Sequence, residues 1–159
     1  MQTRFFPGVL VGLIAGVILT FVYAYNAAPS LMIVEDPSQY GFEETIERIE
    51  AAAENEGWSI PTKHDLTSTV AEHGYDVVPA TVLELCQPDH AGTLLSEEAN
   101  LIVTSMMPCR VSVYERTDGT VIVSRMNTGL VARVFGGTVA KIMAEATEDS
   151  ERILASVLQ

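Results

Sequence analysis

Residues Phe5 to Tyr25 contain no charged side chain over 21 positions, and read FFPGVLVGLIAGVILTFVYAY. At about 1.5 Å per residue a helix of that length reaches roughly 31 Å, close to the roughly 30 Å hydrocarbon core of a bilayer. Pro7 falls in the first turn, where a missing N–H does little harm. Phe5, Phe6, Tyr23 and Tyr25 sit near the two ends, as interfacial aromatics do. A cleaved signal peptide is the rival reading. Its apolar core runs to roughly 7–15 residues and ends in a small-x-small site. This core is longer, and Asn26-Ala27-Ala28-Pro29-Ser30 offers no such pair, so the expectation is an uncleaved anchor over residues 1–28.

Orientation follows from charge. Arg4 precedes the stretch and no Lys or Arg follows until Arg48, while Glu35 and Asp36 come early. The positive-inside rule then keeps the amino terminus in the cytoplasm and places residues 29–159 in the periplasm or extracellular space, with the chain in the cytoplasmic membrane. Gly8, Gly12, Gly16, Thr20 and Ala24 recur every fourth position and form a smooth ridge. Such a ridge lets another membrane helix approach closely, which predicts a homo-oligomer or a membrane-protein partner; glycine is also common in membrane helices generally.

Beyond the anchor the chain is acidic. The first 28 residues hold one charged side chain, Arg4, so the remainder is one unit more negative than the whole chain's −12, that is −13. That balance argues against a nucleic-acid partner, which needs a basic face. The remaining length suits one domain.

The pattern predicts an α+β layer fold, a mainly antiparallel sheet covered by helices on one face. A short strand is expected over 31–35. An amphipathic helix follows over 41–56, with Phe42, Ile46, Ile49 and Ala53 on one stripe, acids in its first turn and Gly57 at its end. Strands are expected over 58–64, 80–86 and 101–105, and short helices over 66–73 and 88–95. Val111, Val113, Val121 and Val123 alternate with their neighbours about Asp118-Gly119, a preferred type I′ hairpin pair. Asn127 or Thr128 is expected to cap one long terminal helix carrying Val131, Val134, Phe135, Val139, Ile142, Met143, Ile153, Leu154 and Val157, with Gly136-Gly137 as a kink.

Cys86 and Cys109 are the most distinctive residues. In an oxidising compartment thiols pair, and a bridge closing this loop is worth roughly 3 kcal/mol. A soft-metal site is the alternative. Cys86 and His90 stand four apart, and Met106-Met107-Pro108-Cys109 adds thioethers and a thiolate, a donor set that suits copper. Buried or free thiols are the third reading. No Cys-x-x-Cys-His is present for covalent haem, and no glycine-rich phosphate loop for a nucleotide. His64-Asp65 could orient a base, and His73 could be a ligand, though such histidines are more often ordinary surface residues. Glu84 lies mid-strand between Leu83 and Leu85; facing inward it would need Arg110 or Arg125 as a buried ionic partner. Ser96, Ser112 and Ser124 have no triad context. A thiol enzyme would need Cys109 activated by Arg110, but neighbours on a strand point to opposite faces. The balance is against catalysis.

Together, Gly57-Trp58, Lys63-His64-Asp65, Glu84-Leu85-Cys86-Gln87-Pro88, Met107 through Glu115, Asp118-Gly119 and Arg125-Met126-Asn127 resemble the family called domain of unknown function 302, in a cysteine-bearing branch. The match runs over about 31–159. It implies a compact α+β domain with a dimerising tendency and no enzyme activity. Members often look like free soluble domains, and the anchor is this chain's departure. The resulting expectation is a membrane-anchored, extracytoplasmic module that binds a ligand or partner. An envelope copper or redox protein, or an accessory subunit of a membrane complex, is the alternative.

Overall fold

A computed structural model describes residues 5–159, with side chains from Gly8 onward. Arg4, on which the orientation rests, and the rings of Phe5 and Phe6 lie outside the described residues. The chain divides into two units, Met1–Met32 and Ile33–Gln159.

The first unit is one helix, α1 (Phe5–Met32). It continues past Tyr25 through Pro29. Asn26 donates to the Val22 carbonyl at 2.7 Å and Ser30 to that of Ala27 at 3.0 Å, so both polar side chains bond back onto the helix. Its length and mean hydropathy of 2.2 are sufficient to cross a bilayer. Gly8, Gly12 and Gly16 have nothing within 4 Å of where a Cβ would stand, so the ridge is open.

In the second unit the chain runs β1 (Ile33–Pro37), α2 (Phe42–Asn55), β2 (Ser59–Asp65), α3 (Leu66–Ala71), β3 (Ala80–Cys86) and α4 (Pro88–Leu95). A 3-10 helix (Glu98–Met106), β4 (Cys109–Glu115), β5 (Val121–Met126), α5 (Thr128–Ala132) and α6 (Gly137–Leu154) complete it. The strands form one open antiparallel sheet in the order β1-β5-β4-β3-β2. Alternation along β3 buries Thr81, Leu83 and Leu85, and β4 opposes them with Val111 and Val113. Leu83, Leu85, Val111 and Val113, with Ile49 and Ala53 of α2 and Ile153 and Leu154 of α6, make the main core. β2 is an edge strand, and its register against β3 slips between Ser59 and Thr62, around Pro61.

A second apolar cluster joins Leu94, Val103, Ala132, Val139, Ile142 and Met143, with Met106 and Met107 packed against it. It sits under the connections between β3, β4 and α6.

Four local expectations are corrected. The first strand starts at Ile33, because α1 runs on to Met32. Residues 101–105 are in the 3-10 helix: Asn100, Val103 and Met106 turn inward at three-residue intervals, while Leu101 and Ile102 are exposed. The hairpin turn is not type I′, which needs positive φ at both central residues. Only Gly119 has it, at +83°, and its N–H donates to Arg116 C=O at 2.9 Å, closing a wider loop. The terminal helix is two helices. Asn127 Oδ1 caps α5 by accepting from the Leu130 N–H at 3.2 Å, as expected. Gly136 then takes φ +67° and ψ −172°, a conformation essentially restricted to glycine, and ends the run. Val134 is consequently 85% exposed rather than in the core.

Candidate functional site

Cys86 is the last residue of β3 and Cys109 the first of β4, so both stand at the same end of the sheet. Just beyond Cys86, Gln87 and Pro88 start α4: the Gln87 side chain caps it, accepting from the His90 N–H at 2.8 Å. Just before Cys109 come Met106, Met107 and Pro108. This is where the two apolar clusters meet, and the seam is not completely filled. A pocket of about 50 Å³ remains, walled by Cys86, His90, Met106, Met107 and Cys109 together with Trp58 and residues of α4 and α6. All five soft-donor candidates named from the sequence are therefore brought to one wall. A second pocket of about 100 Å³ shares Met106, Met107, Pro108 and Cys109 and adds Met126. Met143 completes the inner wall. Apart from Met1 and Met32, which precede the domain, every methionine and cysteine of the chain lines one or both pockets.

The disulfide expectation is not met: Cys86 and Cys109 are free. Across the β3–β4 ladder Cys109 is opposite Leu85, not Cys86, so the two thiols are one step out of register. Both side chains reach the same pocket, unbridged. They are nonetheless electrostatic neighbours. Burial pushes the Cys109 thiol above its ordinary value of 9.0, and the nearby Cys86 pushes it in the same direction.

Histidine 90 does not complete a three-donor set with the cysteines. Among the described residues no three His, Cys, Asp or Glu side chains gather as metal ligands. Its Nε2 lies 3.0 Å from Asp149 Oδ2, and its ring meets Trp58 edge-on with centroids 5.9 Å apart. It ties α4 to α6 beside the pocket. Asp149 is held below the ordinary 3.8: burial opposes this, but hydrogen bonds from His90 and Arg152 outweigh it.

Trp58 is the wall residue that sequence reasoning passed over. It is 5% exposed, and its indole N–H is buried without a hydrogen-bond partner, the one such side-chain atom among the described residues. The signal available was its position as the chain's single tryptophan, directly after the turn glycine Gly57, whose φ is +75°. Met143 reads only as part of the terminal-helix stripe and Met126 only as part of the family pattern, and nothing in their local sequence, or in that of Asp149, brings them to the seam.

Glu84 and Arg110 are paired, with 3.0 Å between Arg110 Nη2 and Glu84 Oε1. The expectation of a buried pair is corrected. They face each other across the ladder on the outer side of the sheet, where Glu84 is 14% and Arg110 66% exposed. His64 approaches the same Glu84 oxygen at 3.2 Å, and its hydrogen bond leads in drawing the carboxyl below its ordinary value, with Arg110 assisting. Asp65 does not orient His64: its carboxylate caps α3, accepting from the Ser68 N–H at 2.9 Å. Arg125, the other partner considered for Glu84, instead bonds Asp36 and Glu151.

An open five-stranded antiparallel sheet with helices over one face, continued by a long apolar amino-terminal helix, defines an α+β domain of the class the sequence suggested. The family described as Domain of unknown function DUF302 matches residues 34–157, and the chain belongs to it. A similar solved structure is the crystal structure of uncharacterized conserved protein DUF302 from Bacillus stearothermophilus. It is 25% identical, with a TM-score of 0.71, over 79% of this chain and 98% of that one. Among curated proteins none matches.

Proposed function

We propose that the chain is a single-pass protein of the cytoplasmic membrane, amino terminus inside, whose family domain lies on the far side and binds a small ligand in the sulfur-lined pocket. The observation that carries this reading is the convergence of two thiols and three methionine side chains on one apolar pocket. Concave apolar sites lined by a few convergent functional groups are the usual form of a binding site. Binding is favoured over thiol catalysis because the Cys109 thiol is shifted away from the thiolate, opposite to an activated nucleophile. The uncharged rod of α1 and the acids that follow it support the topology. The open Gly8-Gly12-Gly16 ridge leaves room for a second copy or another membrane helix beside it.

The test is native mass spectrometry of the full chain extracted from its own membranes. The expected result is a mass above that of the polypeptide, lost when Ala91 on the pocket wall is enlarged (Ala91→Phe). A bare polypeptide in every preparation, or an adduct indifferent to Ala91→Phe, overturns the pocket reading. A reporter enzyme active only outside the cytoplasm, fused after Gln159, is expected to be active; activity of a cytoplasm-only reporter at the same junction overturns the topology.

A further inference from the structure

Resting on that pocket reading, we infer that the ligand is copper(I), held by the sulfurs of Cys86 and Cys109 with a thioether of Met106 or Met107 as third donor. Three observations converge. The donors are all sulfur: the domain's two cysteines and four methionines line this pair of adjoining pockets. Thiolate with thioether selects copper(I) among the first-row ions. The absence of a three-member His, Cys, Asp or Glu group among the described residues disfavours the four-donor tetrahedron that zinc requires. Copper(I) needs only two or three soft ligands.

Size points the same way. The pocket that both cysteines line, at about 50 Å³, is far below the roughly 300–1,000 Å³ of sites for organic ligands. It has room for a bare ion. The second pocket shares Met106 and Met107 with the first and adds Met126.

The step is not a redox reaction. Copper enters and stays as copper(I), two S–H bonds break, two Cu–S bonds form, and two protons leave to solvent. The dithiolate complex carries one negative charge. Proton release makes uptake stronger as pH rises.

The experiment titrates copper(I) itself into the reduced full chain in detergent micelles, anaerobically, against a chromophoric copper(I) chelator. One ion per chain is expected to be withheld from the chelator, with a thiolate-to-copper charge-transfer band and a change in Trp58 fluorescence. Cys86→Ser and Cys109→Ser should each weaken retention by about 100-fold or more, and Met106→Leu with Met107→Leu by about tenfold, on the scale of lost metal ligands and their supports. The leucine pair conserves volume, and near-ultraviolet circular dichroism of Trp58 checks that each variant is folded. No retention by the wild-type chain, or equal retention by a Cys86→Ser/Cys109→Ser chain, overturns the assignment. A different adduct in native spectra that is lost on Ala91→Phe would refute copper while leaving the pocket reading intact.

Discussion

Replacing Arg125 by methionine tests what holds α6 against the sheet and so keeps the seam in place. The guanidinium is 10% exposed. It meets both carboxylate oxygens of Glu151 on α6 at 2.7 Å and Asp36 of β1 at 2.7 Å. Removing one partner from a fully buried ion pair costs about 3–5 kcal/mol, whereas a wholly exposed pair contributes about 0–1 kcal/mol. Here the cation is buried but Asp36 and Glu151 are 40% and 46% exposed. Both acids therefore recover water when the arginine is lost, and the expected cost falls between those limits, about 2 kcal/mol. Methionine keeps the apolar stem, so the loss reports the charge-assisted bonds rather than packing.

For a domain the size of Ile33–Gln159, each kcal/mol moves the melting temperature by roughly 3–6 °C, so Arg125→Met should lower it by roughly 6–12 °C. Trp58 is the only tryptophan and is buried, so its emission follows the domain without interference from α1. Arg125→Lys should recover only part of the loss, because an ammonium cannot hold Glu151 through two parallel bonds. A double-mutant cycle with Glu151→Gln should give a coupling of about 1 kcal/mol. A fall of under 1 °C for Arg125→Met, or full rescue by lysine, would refute the reasoning.

Three further outcomes are expected. Gly136→Ala should destabilise the domain by about 1–3 kcal/mol, since its φ of +67° with extended ψ excludes a Cβ; an unchanged melting temperature would contradict this. Alkylation of Cys109, followed by mass spectrometry in the Cys86→Ser chain, should lag the unfolded chain most clearly near the ordinary thiol value of 9.0, because burial disfavours its thiolate; equal rates in folded and unfolded chains would argue against a buried thiol. The contribution of Asp149 should be fully present above 3.8 and disappear as pH falls through its lower folded value, since its carboxylate is stabilised by His90 and Arg152; Asp149→Asn should flatten that acid limb of the melting curve.

What could be read in the chain was set by local chemistry. The ranges expected for β3 and α4 coincide with those found, because alternation about Leu83 and Leu85 is unambiguous and Pro88 marks a first helical turn. Helix α2 was legible from its 3.6-residue stripe and from Gly57. The 3-10 helix was not, since Leu-Ile-Val-Thr-Ser is a β-branched apolar run and its inward residues, three apart, emerge only when the second cluster exists to receive Val103. The break between α5 and α6 was visible as Gly136-Gly137 but read as a kink, because Val134 and Phe135 fit the helical stripe on paper. For the site, the chemistry of Cys86, His90, Met106, Met107 and Cys109 was legible and so was their candidacy as a set. The roles were not: His90 turns to Asp149, 59 positions away, and Trp58 arrives from another strand connection.

The free state of the two thiols bears on the topology. In an oxidising compartment an exposed, low-pKa cysteine pair would be expected to oxidise. Here the ladder opposes Cys109 to Leu85, and burial suppresses its thiolate, which is the species that attacks a disulfide or peroxide. Both effects slow oxidation without preventing a soft ion from displacing the protons, because the ion supplies two sulfur bonds in return for the lost solvation. The His90–Asp149 pair beside Trp58 ties α4 to α6 at the pocket wall. Loosening that pair should therefore raise the oxidation of Cys109 before it unfolds the sheet.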